Sequence, residues 1–282
     1  MGATHEVWLT DDRGTPMGLL ENWERLAYGM SLHNIGACTL VLPGDFDRTL
    51  LKPDNHLEIW RDYDGGHRQL ERAYFCRQPR NNFESNANER LYIEAYDTNY
   101  LLAARIIAYK ANTAEAQKTG TADNLMKAFV REACGTLAPA ARQWNSSYFT
   151  VQADLSAGPT LTDYSAPYRN LLTVLQDIAD AARAMGTPVY FDTVPVTPTT
   201  FEFRTFTGQP GADRTSPSGS TPLLIGTEYN NLIEVSLTEH YEDEVTVAYA
   251  GGQGEGLERV FEYQEDADRS GRSIWGRREA FQ

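Results

Sequence analysis

A chain of 282 residues, 41% hydrophobic and 11% aromatic, is long enough for two or three packed units with a sizeable core. No apolar run approaches the roughly 20 residues of a membrane span, and the opening MGATHEVWLT lacks the basic start and apolar core of a secretory signal, so synthesis in a cytoplasm without membrane insertion is expected. The net charge of -14 argues against sequence-independent nucleic-acid binding, whose affinity comes from Lys and Arg neutralising phosphates.

From residue 6 to about 95, short apolar runs alternate with turn signals such as DDRG at 11–14 and DYDGG at 62–66. Leu57 and Ile59 alternate with Glu58 and Trp60 as in a half-buried strand, and Asp64-Gly65 is a hairpin signal. A small antiparallel β-barrel or sandwich is therefore expected over 1–105. Arg68, Arg72, Arg77 and Arg80 cluster within it, and such charges are read as solvated or subunit-facing. Residues 96–105, YDTNYLLAAR, read as a short helical turn.

Helices concentrate in a predicted insertion, 106–190. Thr121 stands where an N-cap belongs, Asp123 adds negative charge in the first turn, and Ala122, Leu125, Met126, Phe129, Val130 and Ala133 recur at helical spacing until Gly135. A second helix is predicted from near Ser165, with Pro167 in its first turn. It would bury Leu171, Leu172, Leu175, Ile178, Ala179 and Ala182 and end at Met185 before Gly186. Both stripes are explained by core packing.

Strands return in a second predicted β-barrel domain, 191–282, after a first run at 189–191. They are read at 200–206, 232–237, 244–250 and 259–263, with a long Gly, Pro and Ser-rich loop at 208–222. In TFEFRTF, Phe201, Phe203 and Thr205 share one face while Glu202, Arg204 and Phe206 share the other.

The motifs that could carry chemistry fail on spacing. GGQGEG at 251–256 fits neither a dinucleotide fingerprint nor a P-loop and precedes a strand, so it is read as a hairpin or bulge. His5, His33, His56, His67 and His240 form no metal-ligand set, and HYEDE at 240–244 lacks the glycine and ligand spacing of a calcium loop. Cys38, Cys76 and Cys134 are odd in number and widely separated, which reads as buried reduced thiols. No GxSxG is present, and with 39 acidic residues any chosen carboxylate pair is uninformative. No catalytic, cofactor-binding or metal residue is assigned, and no cofactor is expected.

Three stretches resemble one known family, in its order along the chain. They are LHNIGACTLVL at 32–42 with LLKPDNHLEIW at 50–60; RII at 105–107 with GTADNLMKAFVREACG at 120–135; and VTVAYAGGQGEGLERVFEY at 245–263 with GRREAF at 276–281. The family is that of long-tailed phage (siphophage) proteins that form the hub of the tail tip. The resemblance implies an α+β, mostly β fold, two small antiparallel β-barrel or sandwich domains flanking a helical α/β insertion. It implies a structural virion protein, not an enzyme, assembled as a homotrimer whose two β units give six similar lobes able to seat on a hexameric distal tail protein. The implied partners include the tape-measure protein and tail fibre or receptor-binding proteins, with DNA passing through without specific binding. The alternatives are a tail-associated cell-wall hydrolase and a carbohydrate-binding adhesin, the second because Trp8, Trp23, Trp60, Trp144 and Trp275 could form a sugar platform.

Overall fold

The computed structural model describes residues 4–63, 67–83, 89–108, 117–208, 211, 213–215, 222–229, 232, 234–254, 256 and 259–281. Strand accounts for 40% of the chain and helix for 19%, so the fold is mostly β with some helix. Two compact units divide it, Met1–Ala212 and Asp213–Gln282.

The first unit begins with β1 (Thr4–Thr10), β2 (Pro16–Leu19), β3 (Arg25–Tyr28), β4 (Ala37–Pro43), β5 (His56–Tyr63), β6 (His67–Phe83) and β7 (Glu89–Asp97). They form one antiparallel sheet in the order β2-β1-β5-β6-β7-β4-β3. Period-two alternation sets its faces: in β7, Leu91, Ile93 and Ala95 are buried while Tyr92, Glu94 and Tyr96 are half-buried. The inner face encloses Val7, Leu9, Leu40, Leu57, Ile59 and Ile93. The sheet rolls far enough that β1, the strand next to one edge, meets β3 at the other edge, His5 Nε2 lying 3.1 Å from the hydroxyl of Tyr28. Among the described residues no ladder joins β2 to β3, so this is a rolled open sheet and not a closed barrel. Its edge strands β2 and β3 are only four residues long. The Asp64-Gly65 turn lies outside the described residues, though β5 and β6 pair antiparallel up to Tyr63 and His67.

The same unit continues through α1 (Asn99–Ala103), β8 (Gln117–Thr121), α2 (Ala122–Ala133), β9 (Phe149–Val151), β10 (Thr160–Ser165), α3 (Leu171–Ala184), β11 (Val189–Thr197) and β12 (Thr200–Thr207). Thr121 occupies the N-cap of α2 in extended conformation without a side-chain bond. The orphan N–H groups of Ala122 and Asp123 donate instead to the carbonyls of Pro159 and Ala157. The second helix starts later than the sequence suggested. Ser165 ends β10, Pro167 lies in the connecting loop, and Asn170 caps α3 by accepting from Thr173 N. Leu125, Met126 and Phe129 of α2 and Leu171, Leu175 and Ile178 of α3 share a core with Phe191 and Phe203. Ala73 and Phe75 of the large sheet join that core.

Strands β11 and β12 pair antiparallel, and β12 pairs parallel with β9. This three-stranded sheet belongs to the first unit. The expected boundary between 190 and 191 thus falls inside β11, and the observed one lies between 212 and 213. Burial explains the difference, because Phe191, Phe201 and Phe203 need the apolar faces of α2 and α3 as cover.

The second unit contains β13 (Val247–Gly251), β14 (Phe261–Glu265), a four-residue helix α4 (Ala267–Ser270) and β15 (Glu279–Phe281). β13 pairs antiparallel with β14 and parallel with β15 in a three-stranded sheet, not the expected second barrel. Leu232 and residues 234–237, expected in a strand, are irregular, and most of the 208–222 loop lies outside the described residues. Among the described residues of this unit, Val247 is the one buried hydrophobic side chain.

Candidate functional site

The residues singled out for chemistry fall into structural roles. GGQGEG connects β13 to β14, with Gly254 at φ 110° and Gly256 at φ 57°, backbone that glycine adopts without strain. In HYEDE, Glu244 accepts from Arg269 and from Arg278 Nη1 at 2.8 Å, and the Tyr241 hydroxyl donates to Glu239 at 2.6 Å. The histidines are dispersed: His33 stacks 5.0 Å from Phe191, and His56 is buried against Phe75 and Phe201. Beside His56 lies Glu58, which accepts from Trp60 Nε1 at 2.8 Å and whose carboxyl burial raises in pKa. No group of His, Cys, Asp and Glu among the described residues could hold a metal ion. Cys38, Cys76 and Cys134 are free and buried, and burial pushes each thiol up to about 12, far from a reactive thiolate.

Sequence reading missed two buried charge networks. Arg72, one of the four clustered arginines, is buried. Its Nη1 donates to Asp192 Oδ2 at 2.7 Å and its Nη2 donates to Asp97 Oδ2 and Asp192 Oδ1, each at 2.8 Å. Asn99 Nδ2 donates to Asp192 Oδ1 at 3.1 Å, and its Oδ1 accepts from Thr193 N at 3.0 Å. This fork ties the rolled sheet to β11. Burial opposes the charge on Arg72, but the two carboxylates outweigh it and raise the guanidinium pKa. Of the other arginines, Arg68 and Arg80 are exposed and Arg77 is half-buried: Arg68 pairs with Glu6 over the Trp60 ring, Arg77 with Asp54 over Tyr100, and Arg80 lies over Tyr92.

The second network sits on α2. Asp123 and Lys127 are fully buried with Nζ and Oδ1 2.7 Å apart, and Lys127 Nζ also donates to Ala153 O at 2.7 Å. Asp123 accepts from Leu155 N at 2.7 Å and from the Thr205 hydroxyl. Desolvation works against this carboxylate, yet the bonds from Lys127, Thr205 and Leu155 prevail and lower its pKa. Both networks link separate elements of the first unit and read as fasteners.

Large apolar side chains lie exposed in Asp213–Gln282. Leu237, Ile274 and Trp275 are 85%, 88% and 78% exposed, and Phe261, Tyr263 and Phe281 are each more than half exposed. Trp8 and Trp60 share one face of the paired strands β1 and β5, where they bond Glu6 and Glu58, while Trp144 packs on Phe149 and Trp23 leans on the sheet core.

A family model described as siphovirus ReqiPepy6 Gp37-like protein matches residues 5–282. The chain belongs to this family. Membership makes it a siphovirus tail protein, in line with the resemblance read from the three stretches. Comparison with curated proteins gives no match. Among solved structures, the family member is similar to the Escherichia coli c3393 protein, described as a type VI secretion component with structural similarity to the T4 bacteriophage tail proteins gp27 and gp5. The identity is 9% and the TM-score 0.42, over 76% of this chain and 49% of that one. It is also similar to a chain of a PdpA–VgrG complex, lidless, at 10% identity and TM-score 0.47 over 99% of this chain and 49% of that one. A half-lidded Francisella PdpA–VgrG complex matches at 12% identity and TM-score 0.42, over 99% and 44%. The chain thus spans about half the length of each. Among the described residues no helix is long and apolar enough to cross a membrane.

Proposed function

We propose that this tail protein is a subunit of the tail-tip (baseplate) hub. Copies form a ring, a homotrimer, that joins the tail tube and its distal tail protein to tip components and encircles the path of the tape-measure protein and DNA. Tail fibre or receptor-binding proteins attach around it. The observation that carries this reading is the apolar surface of Asp213–Gln282, with Val247 alone buried among its described hydrophobic residues. A surface of that kind suits a subunit that is completed by assembly. The net charge of -14 suits a channel that DNA traverses without adhering.

A reconstruction of the tail tip tests the reading directly. Three copies in a closed ring around the channel are expected, and placement in the tail shaft or a fibre would overturn it. A predominantly basic lumen would remove the proposed role of the charge. The purified chain is expected to leave peptidoglycan intact, and measurable turnover would assign it instead to cell-wall hydrolysis.

A further inference from the structure

The sheet of the second unit has two unlike faces. Its register places Tyr249, Phe261, Tyr263 and Phe281 on one of them, with Tyr249 opposite Tyr263 and beside Phe281. The Tyr249 and Tyr263 rings lie 5.8 Å apart and those of Phe261 and Phe281 6.2 Å apart, a raised aromatic surface. The opposite face carries Ala248 beside Ala280 and opposite Gln264, and Ala250 opposite Glu262. With such small side chains this part of the unit holds an open hollow of about 480 Å³. Both faces carry charge. On the aromatic face Glu265 and Glu279 pair with Arg277, and the Arg259 guanidinium lies over the Phe261 and Phe281 rings at 5.9 and 5.3 Å, whereas Glu262 stands among the alanines. Neither Arg259 nor Glu262 has an ion-pair partner of opposite charge among the described residues.

We propose that the aromatic face of one copy of this chain packs into the alanine face of the next. Stacked sheets sit roughly 10 Å apart, a gap that large side chains from one face and small ones from the other fill without clash or void. Two aromatic faces would be too thick for that spacing, and two alanine faces would leave it empty. The same stacking brings Arg259 of one copy toward Glu262 of its neighbour. A contact between two different patches is heterologous, so it propagates and closes into a ring when the rotation permits. A glycan would use the aromatic face and leave the alanine hollow unexplained. The proposal rests on the reading that copies form a ring, and it names the surface that joins them.

The test uses two single variants of the full chain, Ala250→Cys and Tyr263→Cys; the native cysteines are buried. Under mild oxidation, a disulfide-linked dimer is expected in the mixture and not in either variant alone. Ala248→Arg, which fills the hollow with a charge, is expected to reduce the mass by light scattering to that of a monomer while the unfolding transition of the first unit stays unchanged. An oligomer that survives Ala248→Arg and gives no mixed disulfide overturns this interface while leaving the ring reading intact. Disulfides only between like variants overturn it in favour of a two-fold contact. A wild-type chain that is monomeric at all accessible concentrations overturns both readings, and saturable glycan binding by that monomer would reassign the aromatic face.

Discussion

Arg72 shows how much of this fold hangs on a residue whose type alone says little. In sequence it is one of four arginines in a basic stretch, and its partners Asp97 and Asp192 lie 25 and 120 positions away. Local pattern cannot distinguish the buried arginine from its solvated neighbours, because the distinction depends on which strands meet. Arg72→Met is expected to cost about 3–5 kcal/mol of unfolding free energy, since it leaves two carboxylates at a buried site without their cation. Adding Asp97→Asn and Asp192→Asn is expected to restore part of that loss, and urea unfolding of the two variants measures it. A loss below about 1 kcal/mol for Arg72→Met, within the range of a surface pair, would show that the fork fastens nothing. Asp123 gives a pH-dependent counterpart. Its folded pKa is depressed, so its stabilisation is complete above the unfolded carboxylate value of about 3.9 and disappears as pH falls through the lower folded value. Asp123→Asn is therefore expected to be less stable than the parent at neutral pH, by about 3–5 kcal/mol, with the gap narrowing below pH ~4. A gap that stays constant down to pH ~3 would assign the effect to side-chain shape instead of charge.

At the scale of elements, the helices were the most legible features. The stripes of α2 and α3 recur every three or four residues, and the positions read as buried are buried, from Leu125 to Ala133 and from Leu171 to Ala182. The start of α3 was misplaced because Pro167 suits a first turn, whereas Asn170 supplies the cap. What sequence could not show was that β11 and β12 need these helices, since alternation reveals an apolar face without naming its cover. Gly158 shows the tightness of that packing. It sits at φ +80°, and a Cβ there would lie 2.3 Å from Val189 Cγ2 on β11. Gly158→Ala is expected to destabilise the protein by about 1–3 kcal/mol, part from the left-handed backbone and part from the clash. In a Val189→Ala background the clash is relieved and the backbone term remains, so the penalty of Gly158→Ala is expected to shrink without vanishing. A double-mutant cycle by thermal or urea unfolding checks it, and strict additivity would rule out the contact.

For the molecule as a whole, the two units differ in how much of their stability they can supply themselves. The first buries two apolar cores and two ionic fasteners, enough for a cooperative domain. The second, about 70 residues long by its bounds, has Val247 alone buried among its described hydrophobic residues, too little to offset the entropy of ordering a chain of that size. Composition could not reveal this imbalance, because Leu237, Ile274 and Trp275 look like core residues until their exposure is known. A chain truncated after residue 208 is accordingly expected to remain folded, to unfold in a single transition and to be monomeric. In the full chain, backbone amides of β13, β14 and β15 are expected to exchange rapidly at concentrations where the protein is monomeric and to gain protection as it assembles. Hydrogen exchange across a dilution series reads both units in one experiment. Strong protection of those three strands in a monomer would mean that the unit is stable by itself and that its apolar surface is not waiting for a neighbour.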